Sequence, residues 1–298
     1  MTSRADDNQE STDRSQSGDR VLRTITDDDN FRVIVATTTQ LTRHVSSLQE
    51  ATGETGRHFA DLLTGTVLIR ETMSPAHRLQ SVLKAGEDQG SLVADAHPDG
   101  LTRGLIQTPA DAGPFSTRQG VMLQVMRSMA KGEIHRSMVR PAAGCDVSQA
   151  LMTYLQESEQ IVSVIAVGAD WQGDEVIHSG GYVVQLLPGA GHGPLMVMTE
   201  RLEAFPPIGS LLSQLEGSAT RLLDELLFQM PHAQLDDSPI HSGCTCSEEA
   251  VVASLATLGR EEIAEMVREQ EVIELTCDYC RTTYAVQRAQ LLGLLETS

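Results

Sequence analysis

Four of the five cysteines in this 298-residue chain lie in two close pairs. Cys244 and Cys246 form a C-x-C pair in the segment GCTCSEE, and Cys277 and Cys280 form a C-x-x-C pair in LTCDYC. Two close thiol pairs, separated by a spacer that can fold back, are typical of a closed tetrahedral zinc site with four thiolate ligands. We therefore predict that these four cysteines bind one zinc ion per chain and that Cys145 takes no part.

The spacing alone leaves other uses of the cysteines open. The zinc could be purely structural, within a module that only binds other proteins. Alternatively, Cys277 and Cys280 could form the active site of a thiol–disulfide oxidoreductase. Such a pair opens a helix after a strand, whereas strand-like residues flank this pair on both sides. Catalytic zinc is disfavoured, because four thiolates leave no open position for water.

The elements around the cysteines predict a small C-terminal module over residues 241–298. The spacer is expected to form helices over 248–258 and 260–269, and the segments VIELT and TTYAV are expected to form strands beside the second pair. A module of this size has too small an apolar core to fold well unaided. Structural zinc contributes roughly 10–16 kcal/mol of apparent binding free energy to such peptides, so the metal would supply the missing stability.

The preceding part of the chain is predicted to be an α+β domain over residues 29–190. FRVIVATTT is a β-branched run typical of a strand, and further short strands alternate with turn residues. A helix is expected after Asp146, where Gln149 completes a capping box. Residues 1–28 are polar and acidic, with few large apolar side chains, so we expect a disordered tail there.

Residues 191–240 differ in character and are predicted to form a helical linker. Half of the residues from 195 to 230 are apolar, against 40% of the whole chain, and Pro and Gly residues divide the segment into short helices. On periodicity alone, the last of these helices belongs to a core. The apolar residues of this helix form a stripe along one face. If that stripe were exposed to water, it would be a candidate binding surface. The stripe includes Leu222, Leu223, Leu226 and Leu227.

The composition argues against several classes of partner and activity. The chain carries 41 acidic and 22 basic residues, and this net charge of −19 opposes binding to nucleic acid or anionic lipid. Aromatic residues make up only 3%, so platforms that stack single-stranded bases are not expected. We find no apolar segment of membrane-spanning length and no secretory signal, so we expect a cytoplasmic protein that does not bind membranes. Motifs of serine hydrolases and metalloproteases are missing too, and we expect that the chain is not an enzyme.

The pattern of C-x-C, spacer and C-D-Y-C resembles that of the redox-regulated chaperones of the heat shock protein 33 family. The order of parts is similar too: an α+β domain, a helical connector and a small C-terminal four-cysteine module. The resemblance covers the chain from about residue 31 to about residue 296. It does not extend to the acidic N-terminal tail, and it gives Cys145 no role. Three further segments are similar to family segments: LVADAHPDGLTRGLI (92–106), YLQESEQIVSVIAVG (154–168) and GGYVVQLLPGA (180–190).

The resemblance implies an ATP-independent holdase that binds unfolding client proteins under oxidative stress. In this family the reduced cysteines bind zinc and the protein is inactive. Oxidants such as hypochlorous acid, or peroxide combined with heat, expel the metal and unfold the module. The helical connector then loosens and exposes apolar surface, which makes the four leucines named above candidate client-binding residues in this chain. Whether the oxidised form is a homodimer is left open.

Once the metal has left, we expect local disulfides, between Cys244 and Cys246 and between Cys277 and Cys280. In the unfolded module, joining neighbours closes a loop of a few residues, whereas a bond between the two pairs closes a much longer one. At about 0.6 kcal/mol per doubling of loop length, the long closure costs about 2 kcal/mol more, although strain in very short loops narrows the difference. Two short loops would not restore the long-range constraint that zinc imposes on the module.

Overall fold

A computed structural model describes residues 18–297 except 87–88, 110, 130–131 and 257. The chain divides into two compact units, and the division falls after Ser242. Both units contain helices and β-sheet, so the predicted mixed α/β class is confirmed. None of the helices in the described part has the length and apolarity needed to span a bilayer. Residues 1–17 of the predicted tail lie outside the described residues.

The described residues of the first unit form eleven strands and six helices. The strands are β1 (Arg20–Thr26), β2 (Phe31–Thr37), β3 (Arg78–Lys84), β4 (Ser91–Ala96), β5 (Leu101–Gln107), β6 (Met122–Ser128), β7 (Ile134–Val139), β8 (Ser163–Gln172), β9 (Glu175–Leu186), β10 (His232–Pro239) and β11 (His241–Ser242). The helices are α1 (Thr39–Leu48), α2 (Gly53–Glu71), α3 (Val147–Glu157), α4 (His192–Ala204), α5 (Ile208–Gln214) and α6 (Ala219–Leu226).

Five of the strands form sheet A, in the order β10-β1-β2-β9-β8, with every neighbouring pair antiparallel. Successive side chains of a strand point to opposite faces of its sheet, and both faces of sheet A are buried. On β2, Ile34 and Ala36 lie in one apolar cluster, whereas Val33 and Val35 lie in another. This double burial explains why β2 is a continuous apolar run rather than an alternating one.

The other six strands form sheet B, in the order β11-β5-β4-β3-β6-β7. Helix α2 contacts strands of both sheets and supplies much of the first apolar cluster, including the fully buried Phe59 and Leu62. Helix α3 begins at the predicted cap. The Asp146 carboxylate accepts a hydrogen bond of 2.7 Å from the Gln149 main-chain N–H, and the Gln149 side chain accepts one of 3.0 Å in return. The predicted capping box is confirmed.

Helices α4, α5 and α6, which we call the helical cover, pack on the second face of sheet A. The buried cluster between them belongs to the first unit alone and is separate from the cluster around α2. From the sheet it contains Leu22, Phe31, Val33, Val35, Tyr182 and Val184. From the cover and the residue after it, it contains Met198, Leu211, Leu212, Ala219, Leu222, Leu223, Leu226 and Leu227.

The start of the ordered chain differs from the prediction. Residues 20–26 form β1, so the expectation of a disordered tail through residue 28 is wrong for this last part. The strand escaped prediction because charged residues interrupt its apolar pattern. In the structure those charges have partners across neighbouring elements: Arg23 forms salt bridges with Glu71 of α2 and with Asp236 of β10.

The predicted linker over 191–240 is not separate from the first domain, and this boundary is corrected. Its helices pack on sheet A, and its last part, which has the composition of a turn-rich connector, is strand β10 at the edge of that sheet. The strand is exposed along most of its length, so it carries no apolar pattern that the sequence could reveal. A salt bridge between Arg20 and Asp237 joins it to β1 instead. The C-terminal module begins only after β11, whose two residues pair with β5.

The second unit contains the predicted helices and strands. They are α7 (Glu248–Leu255), which ends earlier than predicted, α8 (Arg260–Glu269), β12 (Val272–Thr276) and β13 (Thr283–Gln287). A further helix, α9 (Arg288–Thr297), was not predicted. Strands β12 and β13 form an antiparallel hairpin. Among the described residues, the buried core of this unit consists of six apolar side chains: Leu255, Ile263, Val267, Ile273, Val286 and Leu291. So small a core agrees with the expectation that the module needs further stabilisation.

Candidate metal centre

The second cysteine pair lies in the turn that joins β12 to β13. The main-chain N–H of Cys277 donates to the Thr282 oxygen at 2.9 Å, and the N–H of Arg281 donates to the Cys277 oxygen at 2.8 Å. Arg281 has a φ of 60°, in the left-handed region that lets the chain reverse within a few residues. The turn brings the sulfurs of Cys277 and Cys280 to one place. A thioredoxin-type pair would instead open a helix, so this position disfavours the oxidoreductase alternative.

The first cysteine pair precedes helix α7. Ser247, directly after Cys246, caps this helix: its side-chain oxygen accepts a hydrogen bond of 3.2 Å from the N–H of Ala250. The cap fixes where the helix begins. Cys244 and Cys246 therefore lie in the non-helical chain immediately before it.

All four sulfur atoms lie within 4.8 Å of one another. The Cys244 and Cys277 sulfurs are 3.8 Å apart, and those of Cys246 and Cys280 are 3.3 Å apart. Tetrahedral zinc with Zn–S bonds of about 2.3 Å separates its sulfur ligands by roughly 3.8 Å, so the cluster has the size that zinc requires. These distances exceed a disulfide bond of about 2.05 Å, so the four cysteines are not joined by disulfides. The four predicted ligands are thus placed so that they could hold a metal ion.

Two hydroxyl groups that the sequence reasoning missed also contact the sulfurs. Tyr284 Oη lies 3.1 Å from Cys246 Sγ, and Thr282 Oγ1 lies 3.3 Å from Cys280 Sγ. One signal in the sequence could have found Tyr284. It is two residues before the buried Val286 of the predicted strand, and the two-residue period of a strand puts both side chains on the face that points into the module.

The four thiols compete for protons. Burial would raise the pKa of Cys280, but hydrogen bonds from Thr282 and from neighbouring thiols outweigh it and lower the pKa to about 6. The Tyr284 hydroxyl lowers the pKa of Cys246, but burial and the other thiols outweigh that contribution and raise it to about 12. A cluster that readily holds one thiolate resists a second, because like charges repel. A bound dication would remove this repulsion, which is how the four deprotonated cysteines could hold a metal ion together.

Cys145 and His241, which precedes Cys244 by three residues in the sequence, belong to the first unit. Cys145 is buried in the core of the first unit, and burial raises the pKa of its thiol. His241 belongs to β11, where it pairs with Leu101. Within the described residues, the group that could hold a metal comprises the four predicted cysteines.

The four leucines predicted to bind clients lie between the helical cover and sheet A. All four are at most 3% exposed: Leu222, Leu223, Leu226 and Leu227. In this state they are core residues, as the periodicity alone predicts. A role in client binding therefore requires that the helical cover separates from the sheet.

A family model described as Hsp33 protein matches residues 19–287 of the chain. Curated proteins named 33 kDa chaperonin are similar over nearly its whole length. The one from Syntrophotalea carbinolica is 28% identical over 287 residues, which cover 93% of this chain and 99% of that protein. The one from Listeria monocytogenes serotype 4a is 26% identical over 291 residues, which cover 93% and 98%.

A solved structure has the same fold. The crystal structure of the 33 kDa chaperonin (heat shock protein 33 homolog) from Thermotoga maritima matches with a TM-score of 0.81. The match covers 94% of this chain and 98% of that one, at 19% sequence identity.

Proposed function

The chain belongs to the Hsp33 family of chaperones, and on that premise we propose that it is a redox-regulated, ATP-independent holdase. In the reduced, inactive protein, Cys244, Cys246, Cys277 and Cys280 hold one zinc ion. Oxidation of these cysteines releases the metal, unfolds the second unit and exposes surface that binds unfolding proteins. One observation carries the proposal: four half-buried thiols lie within 4.8 Å of one another, in a unit whose own core is small.

The cysteines themselves perform the chemistry of the switch. When bound, zinc keeps the four sulfurs deprotonated, and thiolates are the nucleophilic form of cysteine. With hydrogen peroxide, a thiolate sulfur bonds to one oxygen, the O–O bond breaks, and hydroxide leaves to give a sulfenic acid. A neighbouring thiolate then attacks that sulfur, and a second hydroxide leaves as the disulfide forms. Each disulfide removes two thiolate ligands from the site.

Loss of the metal is expected to unfold the second unit. Structural zinc in small modules contributes roughly 10–16 kcal/mol of apparent binding free energy. Whole domains are stable by only about 5–15 kcal/mol, so removal of this contribution exceeds what six buried apolar side chains can offset.

The helical cover is the surface that we propose for clients. Helices α5 and α6 have seven and eight residues, and isolated helices shorter than about 12–15 residues are marginal in water. They persist because they pack on sheet A. Helix α4 buries Met198 but leaves Met196 and Val197 about half exposed, at 52% and 48%. Separation of the cover would expose its leucines and also the apolar face of sheet A beneath them.

The polypeptide between α6 and Cys244 connects the switch to the cover. It contains β10 and β11, which lie at the edges of their sheets, and β11 has only two residues. Salt bridges from Arg20 and Arg23 to Asp237 and Asp236 help to hold β10, but exposed ion pairs contribute only about 0–1 kcal/mol each. An unfolded second unit would therefore pull on two edge strands that follow the cover directly along the chain.

We also propose that the protein works in the cytoplasm, because a cluster of four cysteines that must be reduced to hold a metal suits a compartment that keeps thiols reduced. Its partners would be unfolding proteins rather than nucleic acid or membranes. The net charge of −19 supports this selectivity, since it repels phosphate backbones and anionic lipid.

A client-aggregation assay tests the proposed function. A chemically unfolded protein is diluted into buffer with reduced or with oxidised full-length protein, and light scattering reports aggregation. Suppression by the oxidised form alone is the expected result. Equal suppression by both forms, or by neither, would favour an interaction module with purely structural zinc. Thiol-dependent reduction of insulin would favour the oxidoreductase alternative.

A further inference from the structure

Two hydroxyl groups, one for each cysteine pair, contact sulfur atoms of the metal centre. We propose that Tyr284 and Thr282 control how fast the centre is oxidised: when the sulfurs of Cys246 and Cys280 are thiolates, which can only accept, the two hydroxyls that contact them donate the hydrogen bonds. This inference rests on the proposed metal centre and adds two residues that are not metal ligands but act on the ligands.

The position of Tyr284 links the two cysteine pairs. It lies on β13, after the second pair, yet its hydroxyl contacts Cys246 of the first pair at 3.1 Å. Its main chain is fixed by pairing with Leu275 on β12, and its side chain points to the same face as the fully buried Val286. The hydroxyl is therefore held at the sulfur by the same strand that builds the core of the module.

The main chain of Thr282 is fixed beside the second pair. Its main-chain oxygen accepts the hydrogen bond from the Cys277 N–H that closes the turn. Its hydroxyl lies 3.3 Å from Cys280 Sγ. The neighbouring Thr283 points to the other face of the strand, and its hydroxyl lies 3.0 Å from that of Thr276. The Thr282 hydroxyl thus contacts a cysteine and the Thr283 hydroxyl contacts another threonine, so the two adjacent threonines offer a matched control.

A hydrogen bond to a thiolate has two effects that act in the same direction. It occupies a sulfur lone pair and withdraws charge, which makes the sulfur a weaker nucleophile towards a peroxide oxygen. It also lowers the repulsion among four thiolates, which favours the metal-bound cluster. Partners of metal ligands typically change metal affinity by about 10–100-fold when they are removed. Tyr284 and Thr282 would thus set the threshold of the switch, and their loss would make it more sensitive.

The test uses full-length reduced protein loaded with cobalt(II), whose absorption reports tetrahedral thiolate ligands. Tyr284→Phe removes one hydroxyl, Thr282→Val removes the other, and Thr283→Val is the control. We expect the sulfur-to-cobalt charge-transfer band to shift in the first two variants and to stay in place in the control. We also expect about tenfold weaker cobalt retention against a competing chelator in the first two.

A second readout identifies the sulfur that has changed. The zinc-loaded variants are treated briefly with hydrogen peroxide, and the remaining thiols are alkylated and quantified residue by residue. Cys246 should be oxidised several-fold faster in Tyr284→Phe, and Cys280 in Thr282→Val, each relative to Thr283→Val. Unchanged bands together with rates equal to the control would overturn this inference while leaving the metal centre intact. A wild-type protein without a thiolate–cobalt spectrum would overturn the metal centre itself, and this inference with it.

Discussion

Gly209 of the helical cover lies directly against the main-chain oxygen of Ala169: a Cβ atom at residue 209 would be 2.4 Å from that oxygen. A contact that short is sterically forbidden, and main-chain atoms on β8 cannot turn aside as a side chain can. Gly168 of the same strand is equally close to α5, since a Cβ atom there would lie 2.3 Å from Ile208 Cγ2. Glycine at these positions thus permits α5 to lie against the backbone of sheet A.

Substitution of Gly209 by alanine should therefore push the cover away from the sheet. Overpacking of this kind typically costs about 1–3 kcal/mol, enough to raise the population of an open cover by roughly 5- to 150-fold. We expect reduced Gly209→Ala to suppress client aggregation measurably without any oxidant, while it still retains its metal. The measurement is light scattering of a chemically unfolded client, with metal content determined on the same sample.

Gly193→Ala is the matched control for this change. Gly193 occupies the second position of α4 as Gly209 does in α5, but a Cβ atom at residue 193 would meet nothing within 4 Å. Both variants gain the same helix propensity, so only the steric contact differs. Equal activity of the two reduced variants would contradict the role assigned to the cover.

The proposed set of four ligands predicts the zinc content of the wild-type protein and of its cysteine variants. Reduced wild-type protein and Cys145→Ser should each contain one equivalent of zinc, because Cys145 lies in the core of the first unit. Cys246→Ser should lose most of its zinc and show a poorly folded second unit, since partial sites lose most of their affinity. Elemental analysis and proteolysis of residues 243–298 measure these outcomes. Loss of half or more of the zinc in Cys145→Ser would show that the ligands are wrongly assigned.

Client capture should depend on the apolar residues that the cover conceals. Leu222→Asp combined with Leu226→Asp places two charges in that surface, and we expect the oxidised variant to capture clients several-fold less well. Full burial of one leucine side chain contributes about 1.5–3 kcal/mol, so replacing two leucines should weaken client binding strongly. Thr220→Asp is the control, because Thr220 is exposed on the same helix. If oxidised capture stays at the wild-type level, clients must bind elsewhere on the chain.

Oxidation should produce local disulfides, Cys244 with Cys246 and Cys277 with Cys280. The folded cluster places sulfurs of different pairs close together, with Cys246 and Cys280 only 3.3 Å apart. Direct oxidation of the folded cluster would thus favour bonds between the pairs. Local bonds are favoured instead once the module has unfolded, where closure of a short loop costs about 2 kcal/mol less. Peptide mapping of the oxidised protein, digested without reduction, identifies which cysteines are joined. A dominant bond between the two pairs would mean that the module stays folded while it is oxidised.

Much of the fold can be predicted where one short stretch of sequence carries the whole signal. The capping box of Asp146 and Gln149 is local, and so is the spacing of the four cysteines, which predicts the group that could hold a metal without any tertiary information. The resemblance in sequence likewise identified the family that the comparisons confirm.

The features that escaped prediction depend on partners distant in sequence. Strands β1 and β10 are joined by backbone pairing and by salt bridges between residues more than two hundred positions apart, so neither strand carries its own apolar pattern. The helical cover was predicted to be a separate helical linker, because nothing in residues 191–240 indicates that the second face of sheet A is apolar and lies beneath these helices. Tyr284 was missed for the same reason: its contact, Cys246, lies 38 positions earlier in the chain.

Amide hydrogen exchange of the reduced and oxidised full-length protein tests the central claim most directly, namely that loss of the metal centre opens the helical cover. We predict that oxidation removes protection from peptides of residues 243–298 and also from those of residues 192–242, while peptides of α2 in the core keep theirs. If the second unit exchanges fully but residues 192–242 stay as protected as in the reduced protein, the cover does not open, and this account of activation is wrong.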